Sequence, residues 1–164
     1  MKKIIGIDPG LTKTGVGIIS SHNNCLSFVS SYTIYSKPSQ DLADRLNHFH
    51  EELSKIIELN KPDIAAIEET FININPLSSL KLGHVRGALM LTLGLHKLKV
   101  HEFSTTAIKK SITGVGRADK KQIQMMVKVL LPKSNFKTED EADALATAIC
   151  YCSNCSSVKR SLQY

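Results

Sequence analysis

The period of the apolar positions changes along the chain, and each change predicts an element. Residues 3–7 form a short β-rich run that stops at Asp8-Pro9-Gly10, where proline and glycine demand a turn. Residues 14–20, rich in Val and Ile and broken by Gly15 and Gly17, predict a second strand, and residues 26–35 a third. The polar stretch Ser21-His22-Asn23-Asn24 between them suits a hairpin, so an antiparallel start is expected. Leu42, Leu46, Phe49, Leu53 and Ile56 then recur at spacings of four and three, one face of a helix that Pro62 ends. Residues 64–67 are a short apolar strand leading into Glu68-Glu69. Asn75-Pro76 puts proline at the first position of a helix running to about Leu95. Its segment Ala88-Leu89-Met90-Leu91 is apolar on more than one face, as in a helix that is deeply buried or lies in a subunit interface. Residues 100–103 predict a fifth strand. Ser104 is placed to cap a short helix ending before Gly114, and Asp119 to cap the next, whose core face is Ile123, Met126, Val127 and Leu130. Thr138, with Glu141 three residues on, reads as a capping box for a last helix through Leu145 and Ile149. The order βββαβαβααα predicts an α/β fold: a five-stranded mixed sheet flanked by helices. Residues 1–155 read as one domain and residues 156–164 as a polar flexible tail.

Composition fits that picture. A chain of 164 residues suits one domain that buries roughly 70% of its unfolded surface. The net charge of +6 is unevenly spread. Residues 81–133 hold eleven Lys/Arg against Glu102 and Asp119, a net of +9, while the remainder holds ten against thirteen acids, a net of −3. A basic middle beside an acidic remainder suits either a polyanion partner or a solvated basic face. No apolar run reaches about 18 residues, so no membrane span is expected. The start meets a charge at Asp8, too early for a secretory signal, which points to the cytoplasm and reduced thiols. Cys150, Cys152 and Cys155 form C-x-C-x-x-C without an evident fourth ligand, which disfavours a zinc site.

Candidate chemistry lies in the carboxylates. Asp8 and Glu68 each end an apolar strand, the side of an open α/β sheet where ligands bind. Asp140 and Asp143, three apart in a helix, share a face. Taken singly, Asp8 could start a turn, Glu68 could be a solvated strand end, and Asp140 could favour a helix N-terminus. Taken together, four converging carboxylates repel one another unless a hard divalent cation such as Mg²⁺ joins them. Two such ions about 4 Å apart would provide for an in-line phosphoryl displacement.

Ordered motifs sharpen this reading. Gly6-Ile7-Asp8-Pro9-Gly10, Ala66-Ile67-Glu68 with Phe71, Leu80-Lys81-Leu82-Gly83 with Arg86-Gly87, and Asp140-Glu141-Ala142-Asp143-Ala144-Leu145 resemble the RuvC crossover junction endodeoxyribonucleases, over about residues 2–152. The resemblance implies a ribonuclease H-like fold and a homodimer that resolves Holliday junctions with two symmetric nicks. It implies two Mg²⁺ per site, with Mn²⁺ as a substitute, and products ending in 5′-phosphate and 3′-hydroxyl. It assigns Asp8, Glu68, Asp140 and Asp143 as catalytic metal ligands, with Glu69 outside the site. It puts Lys81, Arg86, Lys109 and Lys120 at the DNA and Phe71 against unpaired bases at the crossover. It also implies a branch-migration motor of the RuvA and RuvB type as partner. Glu139 and Glu141 make the last motif unusually acidic, and the doublets Lys109-Lys110 and Lys120-Lys121 leave open which lysine meets phosphate.

Three other readings compete. An actin-like phosphotransferase also opens with Asp-x-Gly after a strand, but needs a second matching domain. A ribonuclease H-like enzyme acting on RNA would read 2′-hydroxyls. A non-catalytic junction-binding protein would need the basic stretch but not the four acids.

Overall fold

The computed structural model describes residues 1–23, 25–69 and 76–161, with the last helix's side chains described through Asn154. The elements follow the expected order: β1 (Lys2–Asp8), β2 (Lys13–His22), β3 (Cys25–Tyr35), α1 (Leu42–Asn60), β4 (Ile64–Glu68), α2 (Pro76–Leu95), β5 (Lys99–Phe103), α3 (Thr105–Thr113), α4 (Lys120–Leu130) and α5 (Glu139–Ser161). The sheet runs β3-β2-β1-β4-β5. β1, β2 and β3 are antiparallel, whereas β4 and β5 join β1 in parallel.

Strand alternation divides the core in two. Ile5, Ile7, Val16, Ile18 and Ile67 face α1 and α2, where they meet Phe49, Leu53, Val85, Leu89 and Leu93. Ile4, Ile19, Ile64 and Ala66 face the other way, onto Ile108, Ile123, Val127, Leu145 and Ile149 of α3, α4 and α5. A bulge between Ile18 and Ile19 resets the alternation of β3. Leu26 and Phe28 therefore pack under α3–α5, while Tyr32 and Ile34 pack toward α1.

Two details depart from the sequence expectations, the length of one hairpin and the cap of α5. The β2–β3 hairpin is tighter than four loop residues, because β2 runs through His22, β3 opens at Cys25, and Asn23 turns the chain at φ 48°. Helix α2 buries one face and exposes the other: Val85, Leu89, Thr92 and Leu93 face inward, while Leu77, Leu80, Leu91 and Leu95 are exposed. The complete capping box belongs to α4, where the Asp119 side chain accepts from Gln122 N and Gln122 returns to Asp119 N. At α5 only the first half forms: Thr138 Oγ1 accepts from Glu141 N at 3.2 Å, but the Glu141 side chain is engaged elsewhere. Helix α5 runs on to Ser161.

Candidate active site

Period two also places the carboxylates. Asp8 follows Ile4 and Gly6 on the face beneath α5, and Glu68 follows Ile64 and Ala66 on that same face. Ile7 and Ile67 are register partners, so Asp8 and Glu68 lie side by side where the parallel β1–β4 pair ends. The turn after Asp8 is closed by the buried Thr14 hydroxyl, which accepts from Gly10 N at 3.4 Å and lies 3.3 Å from Gly10 O.

Helix α5 carries Asp140 and Asp143 to this corner, and two glycines admit it. A Cβ on Gly15, the register partner of Asp8, would stand 1.9 Å from Asp140 O. One on Gly6 would stand 2.1 Å from Ala144 O. The helix backbone thus rests directly on β1 and β2, along a strip without side chains. Glu141 fastens the same first turn from the side. Its buried carboxylate accepts from Ser31 Oγ at 2.7 Å, Thr33 Oγ1 at 3.1 Å and Lys137 N at 3.0 Å.

Asp8, Glu68 and Asp143 line one cleft of about 250 Å³, together with Thr105, Ile108, Lys109, Lys120 and Ile123. Burial, then the charges of Glu68, Asp143 and Asp140, push the Asp8 carboxyl up to about 8, against the pull of Lys120. Burial also lifts Asp143 to about 6; Lys120 opposes this while Glu68, Asp140 and Glu139 add to it. Lys120 is held above its ordinary value chiefly by Asp143, then by its hydrogen bond to Glu139 at 3.4 Å. Among the described residues no three His, Cys, Asp or Glu side chains form a ready-made cation shell. The donor set is nevertheless all carboxylate oxygen, and its charges oppose one another. That is the chemistry a hard divalent cation answers.

Of the lysine doublets, Lys109 and Lys120 line the cleft. Arg86 does not. Its Nε donates to the Glu68 carbonyl at 3.2 Å and its Nη2 pairs with Glu102. Lys81 is exposed on α2, and Phe71 lies outside the described residues. Cys150 is buried, its thiol pushed up by burial, and Asn154 Nδ2 stands 3.3 Å from its sulfur. Thr105 was not anticipated: its hydroxyl donates to Glu68 Oε1. The alignment of residues 64–68 with 99–103 is the signal that could have found it, since it opens a helix beside Glu68. A wider groove between β3 and α1, lined by Tyr32, Tyr35, His48 and Leu59, holds no such group of acids: its Glu52 is paired with Lys55 at 2.7 Å.

Residues 4–151 match the family model for crossover junction endodeoxyribonuclease RuvC. The chain belongs to the RuvC family. The RuvC of Allorhizobium ampelinum is 49% identical over 152 residues, 93% of this chain and 90% of that protein. The RuvC of Sinorhizobium medicae is 47% identical over 154 residues, 94% and 92% of the two chains. The family's fold is also present. Thermus thermophilus RuvC in complex with Holliday junction substrate superposes with a TM-score of 0.89 at 22% identity, covering 96% of this chain and 97% of that one. The yeast mitochondrial Holliday junction resolvase superposes at 0.71 with 12% identity, over 96% and 82%. The ribonuclease H-like sheet expected from the RuvC motifs is therefore the one observed.

Proposed function

We propose that this chain is a divalent-metal-dependent endodeoxyribonuclease that resolves Holliday junctions by paired symmetric nicks in recombination and DNA repair. Family membership supports the reaction class. One observation carries the site assignment: Asp8, Glu68 and Asp143 meet in a single cleft with Lys109 and Lys120. The four carboxylates would hold two Mg²⁺, with Mn²⁺ as substitute. When bound, the ions supply an activated nucleophile and neutralise the phosphoryl oxygens during in-line displacement, leaving 5′-phosphate and 3′-hydroxyl ends. Lys109 and Lys120 bind the phosphate beside the carboxylates and so set the strand's position. Lys81 extends this contact along α2, and Phe71 stacks on an unpaired base, an interaction of roughly 1–3 kcal/mol. For Arg86 the geometry offers a second role beside DNA contact, tethering the end of β4 through the Glu68 carbonyl.

The homodimer is supported by the outer face of α2. Leu77, Leu80, Leu91 and Leu95 are 60–70% exposed there. A Cβ added at Gly83, Gly87 or Gly94 would meet nothing within 4 Å, which leaves room for close approach of a second helix. Two sites in one dimer reach two strands of a junction, so branch selectivity comes from shape. Among the described residues no helix is long and apolar enough to cross a membrane. We place the work in the cytoplasm, beside a RuvA- and RuvB-type motor.

The test is a cleavage assay with labelled four-way junction, linear duplex and RNA–DNA hybrid, with and without Mg²⁺. Paired nicks in the junction alone, only with metal, are expected. Preferential cutting of the hybrid would replace this reading with an RNA-directed one.

A further inference from the structure

Glu68 is gripped at both ends. The β4–β5 register sets Phe103 opposite Glu68, and Glu69 N donates to Phe103 O at 2.9 Å. This fixes where α3 begins. Ser104 caps it, its Oγ accepting from Ala107 N at 3.2 Å, and Thr105 opens the helix inside the cleft. There the Thr105 hydroxyl donates to Glu68 Oε1. From the other side, Arg86 holds the Glu68 main-chain carbonyl at 3.2 Å while pairing with Glu102.

The threonine bond acts on the carboxylate itself. A β-branched side chain is stiff about χ1, so this hydroxyl has little freedom to follow Glu68 into another pose. Oε1 has one acceptor direction occupied, and chelation of an ion by both oxygens would compete with that bond. Among the described residues no hydrogen bond reaches Oε2, and that oxygen is the one offered to a cation. The distinction matters because Ca²⁺ takes about six to eight oxygens and tolerates carboxylates that bind through both. Mg²⁺ demands a compact octahedron and takes one oxygen from each carboxylate.

We propose that Thr105 is a positioning residue that keeps Glu68 a one-oxygen ligand and so tilts the site toward Mg²⁺ over Ca²⁺. The proposal rests on the carboxylate-site reading given above. Thr105→Val removes the hydroxyl and keeps the shape; Thr105→Ser keeps the hydroxyl. The full-length proteins, stripped with EDTA, are titrated with MgCl₂ or CaCl₂ while thermal unfolding is followed. Junction cleavage is measured in parallel at saturating Mg²⁺. Thr105→Val is expected to raise the Mg²⁺ midpoint by about tenfold, as loss of a ligand's hydrogen-bonding partner does. The Ca²⁺ midpoint stays in place or falls, kcat drops by about tenfold, and KM for the junction is unchanged. Thr105→Ser restores all of these. A wild-type ratio of Mg²⁺ to Ca²⁺ midpoints in Thr105→Val, or equal losses in the Val and Ser variants, overturns the proposal. If Thr105→Val does not fold, Thr105→Ala is put through the same comparison. Asp8→Asn separates the two ideas: if it leaves stabilisation by Mg²⁺ intact, the carboxylate site itself is wrong. If it abolishes that stabilisation while Thr105→Val keeps the wild-type ratio, only the role of Thr105 is lost.

Discussion

Asp8 sits where burial and three other carboxylates all oppose its charge. An unfolded chain releases this proton near 3.8, whereas the folded protein keeps it to about 8. Between those values the folded state binds more protons than the unfolded one, so stability falls as pH rises through the window. Asp143, held to about 6, steepens the lower half. In EDTA, the melting temperature should therefore decline from pH 5 to pH 8. Asp8→Asn should flatten that decline and be the more stable protein at pH 8. The gain is a few kcal/mol at most, because each pKa unit corresponds to about 1.4 kcal/mol and the cleft is open to water. An Asn variant no more stable than its parent at pH 8 would contradict this. Activity should move the opposite way. Asp8→Asn, Glu68→Gln, Asp140→Asn and Asp143→Asn should each lose nearly all cleavage while still retaining junctions in a gel-shift assay, and Glu69→Gln should stay active. An active Glu68→Gln beside an inactive Glu69→Gln would reverse the assignment of that strand end. The acids were legible because each closes an apolar run or opens a helix. Thr105 was not, since nothing in its own neighbourhood distinguishes it from an ordinary first-turn residue until β5 is aligned with β4.

Helix α5 shows where pattern reading stops. Its start was legible from Thr138, but the sequence suggested that Glu141 would close a local capping box. The structure instead sends that carboxylate to Ser31 and Thr33, 110 and 108 positions away. A local motif and a tertiary clamp use the same residue types, and only strand register decides between them. Glu141→Ala leaves two hydroxyls and the Lys137 amide without this acceptor, which should cost about 1–3 kcal/mol. Urea unfolding measures it, and a cost within error of zero would make the clamp incidental. Gly15 carries the same lesson. In sequence it reads only as an interruption of β2, whereas in the fold it is the seat of the helix. Gly15→Ala should destabilise by about 1–3 kcal/mol or more, because the obstructing atom is backbone and cannot rotate away. It should also depress cleavage, by displacing Asp140. A fully active, fully stable Gly15→Ala would show that α5 can be seated without this contact.

At the level of the whole molecule, the apolar stretch of residues 88–95 had left burial and interface as alternatives. The structure buries one face of α2 and exposes the other, the face proposed above for the dimer. Leu91→Glu, on the outer face, should yield monomers by light scattering, since an unpaired charge in an interface costs several kcal/mol. Those monomers should lose paired nicking while keeping their fold. A dimer that survives the substitution would move the interface elsewhere. The basic region acts on a different observable: Lys120→Ala should flatten the salt dependence of junction binding by about one unit of log–log slope. The order of the site along the chain has one more consequence. Asp8 and Glu68 stand on β1 and β4, whereas Asp140 and Asp143 stand on α5, the last of the described elements. During synthesis the N-terminal part emerges first, so the strip over Gly6 and Gly15 stays uncovered until α5 is made. A chain that lacks α5 carries two of the four proposed metal ligands. On the proposed assignment, the ability to cut is acquired only once α5 has docked.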